Sequence, residues 1–132
     1  KGTFLNNKKQ SVALTDTAYP RVILHIAQIV WHSQRDSIDH LVHALQSFNV
    51  FKLYHSAGVE YGYVAGGKFD AVIALTKDSF PDFAGSLIVR EAGGIFTNGE
   101  GSENIKPTDR VFIAAHPSIH AKLLEITRAV VG

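Results

Sequence analysis

The chain has 132 residues, 45% hydrophobic and 19% charged, with 13 basic and 12 acidic side chains and a net charge of +1. Such composition fits one compact globular domain and excludes disorder, low complexity and a pair of ordinary domains. A near-neutral chain without a basic stripe is no nucleic-acid binder, and the longest apolar stretch, Val22 to Trp31, is about half a bilayer span, which excludes membrane insertion.

Gly2 to Val12 reads as two short extended pieces around the polar turn Asn6-Asn7-Lys8-Lys9, a hairpin, and Asp16 to Pro20 as a connector. Arg21 to Ala27 is dense in β-branched and aliphatic residues and predicts a core strand running on towards Trp31. Over Ser33 to Phe48 the period changes, with Ile38, Leu41, Val42, Leu45 and Phe48 on one helix face. Val50 to Tyr54 is a second strand, and Ser56 to Ala65 a helix opened by a Ser cap and closed by Gly66-Gly67. Asp70 to Leu75 is a continuous apolar run, as in a strand covered on both faces. Pro81 to Ala92 is helical, with Pro81 suited to the first turn and Gly93-Gly94 ending it. A short strand over Ile95 to Thr97, a polar loop over Asn98 to Asp109, a strand over Arg110 to Ala115 and a helix over Pro117 to Val131 complete the chain. Strands alternating with helices predict an α/β fold, a mostly parallel mixed sheet of about five strands with helices on both faces.

Zero cysteines exclude disulfides, thiolate metal sites and a Cys nucleophile. The chain also lacks Met and shows no secretory or transit segment, so it reads as excised from a longer, cytoplasmic protein. His116 and His120, four apart, and His40 and His43, three apart, have metal-site spacing, but neither pair has an obvious third ligand. They read as surface or helix-end histidines, and His25, inside an apolar strand, as a hydrogen-bonded core residue. Gly58, Gly62 and Gly66-Gly67 do not form a dinucleotide fingerprint; the small residues Ala57, Gly58, Gly62 and Ala65 are expected to allow close packing. Ser56 opens a helix after a strand, which suits either a plain N-cap or an anionic ligand. Asp82, in the first turn of its helix, has two readings: a dipole-complementing cap, or a ligand for a hard cation at the carboxyl end of a strand.

Phe80-Pro81-Asp82-Phe83-Ala84-Gly85 through Glu91-Ala92-Gly93-Gly94 resembles the C-terminal motif of the inositol monophosphatase family. Lys1-Gly2-Thr3-Phe4-Leu5-Asn6 is similar to that family's Gly-Ala-Phe-x-Asn hairpin. His55-Ser56-Ala57 through Val64-Ala65-Gly66-Gly67-Lys68-Phe69-Asp70 resembles its Gly-Ser/Thr-Ala helix and exit, and Arg110 to His116 its closing strand. The resemblance implies that residues 1–132 are the C-terminal α/β domain of a Mg²⁺-dependent, lithium-sensitive phosphomonoesterase built from two halves and commonly homodimeric. The missing N-terminal half would carry the remaining metal-binding acids. Asp82 matches a metal ligand with a catalytic role near the leaving group, while Ser56 and Ala57 match residues lining the substrate pocket. Pro81 stands where the family usually has Trp, His55 where it has Gly, and Ala74 where inositol-directed members place a substrate-contacting Glu. One extra residue separates Asp70 from Asp82. The expected substrate is a phosphate monoester of inositol, a sugar or a nucleotide, with the Ala74 departure weighing against inositol, and the isolated chain is expected to be inactive. A non-catalytic α/β dimerisation or interaction module is the alternative.

Overall fold

A computed structural model describes residues 3–5, 8–13, 19–53 and 57–131. Strands β1 (Thr3–Leu5) and β2 (Lys8–Gln10) pair antiparallel, Phe4 opposite Lys9, as the hairpin reading requires. The Asn6-Asn7 part of its turn lies outside the described residues. Strand β3 (Arg21–Ile26) is followed by helices α1 (Gln28–Ser33) and α2 (Arg35–Ala44), then β4 (Asn49–Leu53) and α3 (Ala57–Ala65). Strand β5 (Ala71–Leu75) leads into α4 (Phe80–Glu91), β6 (Ile95–Asn98), β7 (Val111–Ala115) and α5 (Pro117–Val131).

The five-stranded sheet has the order β4-β3-β5-β7-β6. The β3–β4 and β3–β5 pairs are parallel, and β5–β7 and β6–β7 antiparallel. Four strands therefore point one way and β7 alone runs against them, the mostly parallel mixed sheet that the sequence reading expects. The polar loop after β6 is the reason. It returns the chain without a helical crossover, and a direct return puts the next strand antiparallel.

Side chains alternate across this sheet and feed two cores. Val22, Leu24 and Ile26 pack with Ile38, Leu41, Leu45 and Leu123 under α2 and α5. Ile23, Val72, Ala74, Phe96 and Phe112 pack on the other face with Tyr61 of α3 and Val89 of α4. β5 is buried at every position, as its continuous apolar run predicts.

The extension of β3 towards Trp31 does not occur. Ala27 N–H bonds Leu75 C=O at 2.9 Å, and the chain then turns into α1. A short apolar run cannot by itself separate strand from buried helix. Trp31 packs instead beneath the cationic groups of Arg35 and Lys52, 5.6 and 5.2 Å from the ring centroid. No helix among the described residues is long and apolar enough to cross a membrane.

Candidate active site

The α3/α4 side of the sheet carries charge at the end where β3 and β5 stop. In the parallel β3–β5 ladder His25 stands opposite Ala74, and in the β5–β7 ladder Ala74 stands opposite Phe112. Because the pleat alternates, His25 faces the same side as Ile23, towards α3. There its Nδ1 lies 2.6 Å from Glu60 Oε1, an ionic contact not aligned as a hydrogen bond. Glu60 is fully buried, and neither of its carboxylate oxygens has a hydrogen-bond partner.

Next to Glu60, Tyr61 is also fully buried, and its hydroxyl donates to Asp82 Oδ1 across the α3–α4 contact. Asp82 has no exposed surface, and its Oδ2 has no hydrogen-bond partner. Burial pushes the Asp82 carboxyl up from 3.8 to about 6, against the opposing pull of the Tyr61 hydroxyl, the His25 ring and its own backbone amide. Tyr61 is driven well above the ordinary tyrosine value, first by burial and then by the Asp82 charge, so it stays a donor at neutral pH.

Ser79, the N-cap of α4, makes no side-chain cap bond, and Asp82 lies in the first turn. Phe80 N–H donates to Asp78 Oδ1 at 3.0 Å, while Asp82 takes its side-chain bond from Tyr61. An unpartnered buried carboxylate oxygen costs free energy that a mere cap does not incur. As a hard, anionic oxygen at the carboxyl end of β5, it fits one ligand position of a divalent cation. Among the described residues no group of three His, Cys, Asp or Glu is placed to hold a metal ion, so the remaining ligands would come from outside them.

The inositol monophosphatase family model matches residues 1–131. The chain belongs to that family. It is 29% identical over 127 residues to inositol-1-monophosphatase of Bacillus subtilis, covering 95% of this chain and 47% of that one. It is 28% identical over 132 residues to the fructose-1,6-bisphosphatase/inositol-1-monophosphatase of Methanothermobacter thermautotrophicus, covering 95% and 45%. Its fold is like that of the Thermotoga maritima IMPase, with a TM-score of 0.82 at 21% identity over 99% of this chain and 50% or less of that one, namely 49%. The chain thus spans about half the length of the relatives it matches.

Of the residues singled out by likeness to the inositol monophosphatase family, Asp82 sits in the charged cluster. Ala74 is fully buried in the apolar layer beside it. Ala57 opens α3, and Ser56 lies outside the described residues. Of the small residues expected to pack against the sheet or a partner helix, Ala65 is buried while Gly58 and Gly62 meet nothing among the described residues; Gly85 of α4 lies close beneath the Tyr61 ring. Among the described residues neither histidine pair belongs to a group of three potential metal ligands. His120 is buried with Nε2 2.9 Å from Thr97 Oγ1, His116 contacts Ser118 at 2.8 Å, and His40 and His43 are exposed on α2. His25 lies in the core strand, but it is partly exposed and its Nδ1 has no hydrogen-bond partner, so the hydrogen-bonded reading is not met at that atom; its contact Glu60 and the neighbouring Tyr61 are not singled out by the sequence reading. Their signal was available: Glu60 is the one charged residue in the segment AGVEYGYVA. An open cleft of about 260 Å³ lies elsewhere, lined by Asn98, Asp109, Arg110 and Val131. Its polar groups largely satisfy one another, with Asn98 Oδ1 accepting from Glu100 and Ser102 N–H and Asp109 Oδ2 from Lys106 N–H.

Proposed function

We propose that this chain acts as the C-terminal half of a Mg²⁺-dependent, cytoplasmic phosphomonoesterase, with Asp82 as the metal ligand it contributes. The observation that carries this is the Asp82 carboxylate, fully buried, with one oxygen taken by Tyr61 and the other left without a partner. Membership of a phosphatase family and a span of about half its relatives support the reading. So does the outer surface of α3 and α4, where Val59, Phe80, Phe83 and Leu87 are exposed apolar side chains that a second half would cover. Homodimerisation belongs to the same proposal.

A Mg²⁺ ion held here would neutralise phosphate charge, lower the pKa of water and stabilise the leaving oxygen. The chain's own contribution is to hold a carboxylate rigid and ionised at neutral pH. Tyr61 fixes Asp82 by its hydrogen bond, and the His25 ring favours the ionised form. Burial of both helices' facing side chains keeps water from competing for Oδ2. The substrate is a phosphate monoester, with Ser56 and Ala57 as the proposed substrate contacts and Ala74 at the position of a hydroxyl-binding acid.

The test is Asp82→Asn in the full-length protein. Asn keeps the volume and the acceptor for Tyr61 but removes the anionic oxygen, so Mg²⁺ affinity and kcat should fall steeply. A folded variant with parental activity at low Mg²⁺ would return Asp82 to a purely structural role.

A further inference from the structure

Tyr61 is held more tightly than core filling requires. Its ring is fully buried and meets the Phe96 ring edge-on at a centroid distance of 5.1 Å. On the α4 side it lies against Gly85, where a methyl group would fall 2.8 Å from Tyr61 Cε2 and Cγ and closer still to Cδ2. Real carbon atoms do not approach so closely, so the ring occupies this place only because residue 85 has no side chain. The ring is thereby confined, and its hydroxyl donates to Asp82 Oδ1 while Asp82 Oδ2 has no partner.

We propose that Tyr61, seated on Gly85, is a positioning residue that occupies one oxygen of Asp82 and presents the other as a one-point ligand to a divalent cation. The proposal rests on the reading of Asp82 as a metal ligand. A carboxylate terminus rotates over a broad, roughly two-fold torsion and can offer a cation either or both oxygens. A hydroxyl donor fixed to Oδ1 removes that choice. The cation then meets an oxygen already aimed, and the ordering cost of the ligand is met during folding rather than on binding. The device spans two helices. α3 supplies the donor, and α4 supplies both the acceptor and the glycine that admits the ring.

Direct titration with Mn²⁺ as the probe, followed by its electron spin resonance signal, tests this in the full-length protein without using turnover. Tyr61→Phe keeps the ring on Gly85 and removes only the hydroxyl. It should weaken Mn²⁺ binding by about tenfold or more. The Mg²⁺ concentration giving half-maximal activity should rise in parallel, while kcat at saturating Mg²⁺ and KM for the phosphate ester stay close to parental. A merely structural role would not separate those quantities. Gly85→Ala, which displaces the ring but keeps the hydroxyl, should weaken Mn²⁺ binding in the same direction, and the double variant should be no weaker than the worse single one. If Tyr61→Phe binds Mn²⁺ as tightly as the parent while Asp82→Asn does not, the positioning role is overturned and the ligand reading stands. If Asp82→Asn also binds Mn²⁺ at parental affinity, the ligand reading fails and the positioning role falls with it.

Discussion

Asp82→Asn separates what the carboxylate costs the fold from what it contributes to the site. In the folded chain the Asp82 carboxyl titrates at about 6 rather than 3.8, because burial disfavours its charge. The native state therefore holds the Asp82 proton more tightly than the unfolded state between those two values. Stability contributed by the protonated form is present below about pH 4 and is lost as pH rises through about 6. A shift of about two units corresponds to about 3 kcal/mol as a ceiling. Solvent near the exposed Phe80 and the half-buried Pro81 screens part of it, so about 1–2 kcal/mol is expected. An amide does not titrate. Relative to the parent, the Asn variant should therefore gain about 1–2 kcal/mol between about pH 4 and about pH 7 in metal-free buffer.

Urea unfolding of both proteins at the two pH values, with a chelator present, gives that difference directly, because every other titrating group is common to both. Adding Mg²⁺ should reverse the order. A ligand at a hundred times its dissociation constant stabilises the parent by about 2.7 kcal/mol and leaves a variant that cannot bind it unchanged. A stability difference independent of pH would refute the buried ionised carboxylate. Equal Mg²⁺ stabilisation of both proteins would refute its role as a ligand.

The 132-residue chain by itself should show no Mg²⁺-dependent phosphatase activity, since its described residues bring no group of three potential metal ligands together. Turnover of a phosphate monoester by the purified chain would overturn the half-enzyme reading. With Ala74 in place of a hydroxyl-binding acid, the full-length enzyme should not strongly prefer inositol monophosphate over other sugar phosphates, checked by side-by-side kcat/KM. His120 has its pKa lowered from 6.5 by burial, so its neutral form supports the fold and that support is lost as pH falls below about 6.5. His120→Gln should flatten this acid-side loss in thermal melts. Gly85→Ala should destabilise by about 1–3 kcal/mol, measured by urea unfolding, because the Tyr61 ring has nowhere to move without strain.

Most of the fold is legible in the sequence where one period dominates. The Ile38-Leu41-Leu45 spacing gives α2, and the unbroken apolar run of 71–75 gives the central strand. Glycines and prolines mark the ends of α3 and α4, with Gly67 and Gly93 at φ of 75° and 94°, where a side chain would be strained. The run after His25 was misread because strand and short helix share an apolar signature there. The sequence does not say which strand runs antiparallel in the mixed sheet, because polarity depends on how a loop returns, which no local pattern encodes. Asp82 was reached by its motif. Its partner was not, because Tyr61 and Gly85 lie 24 residues apart and their fit exists only across two packed helices.

The two faces of the sheet divide the work. Beneath α2 and α5 the buried hydrophobic cluster is aliphatic, with Val22, Leu24, Ile38, Leu41, Ile73 and Leu123 among its members, and the polar residues that α5 buries, His120 and Thr127, include no acid. Beneath α3 and α4 the same sheet meets Glu60, Tyr61 and Asp82, with His25 at the strand end, and buried carboxylate oxygens of Glu60 and Asp82 have no hydrogen-bond partner. A core built only for stability would not hold these groups, because an apolar residue of similar volume would avoid their desolvation cost. Apolar burial elsewhere in the sheet offsets that cost, so the fold can keep buried acids with unpartnered oxygens beneath α3 and α4.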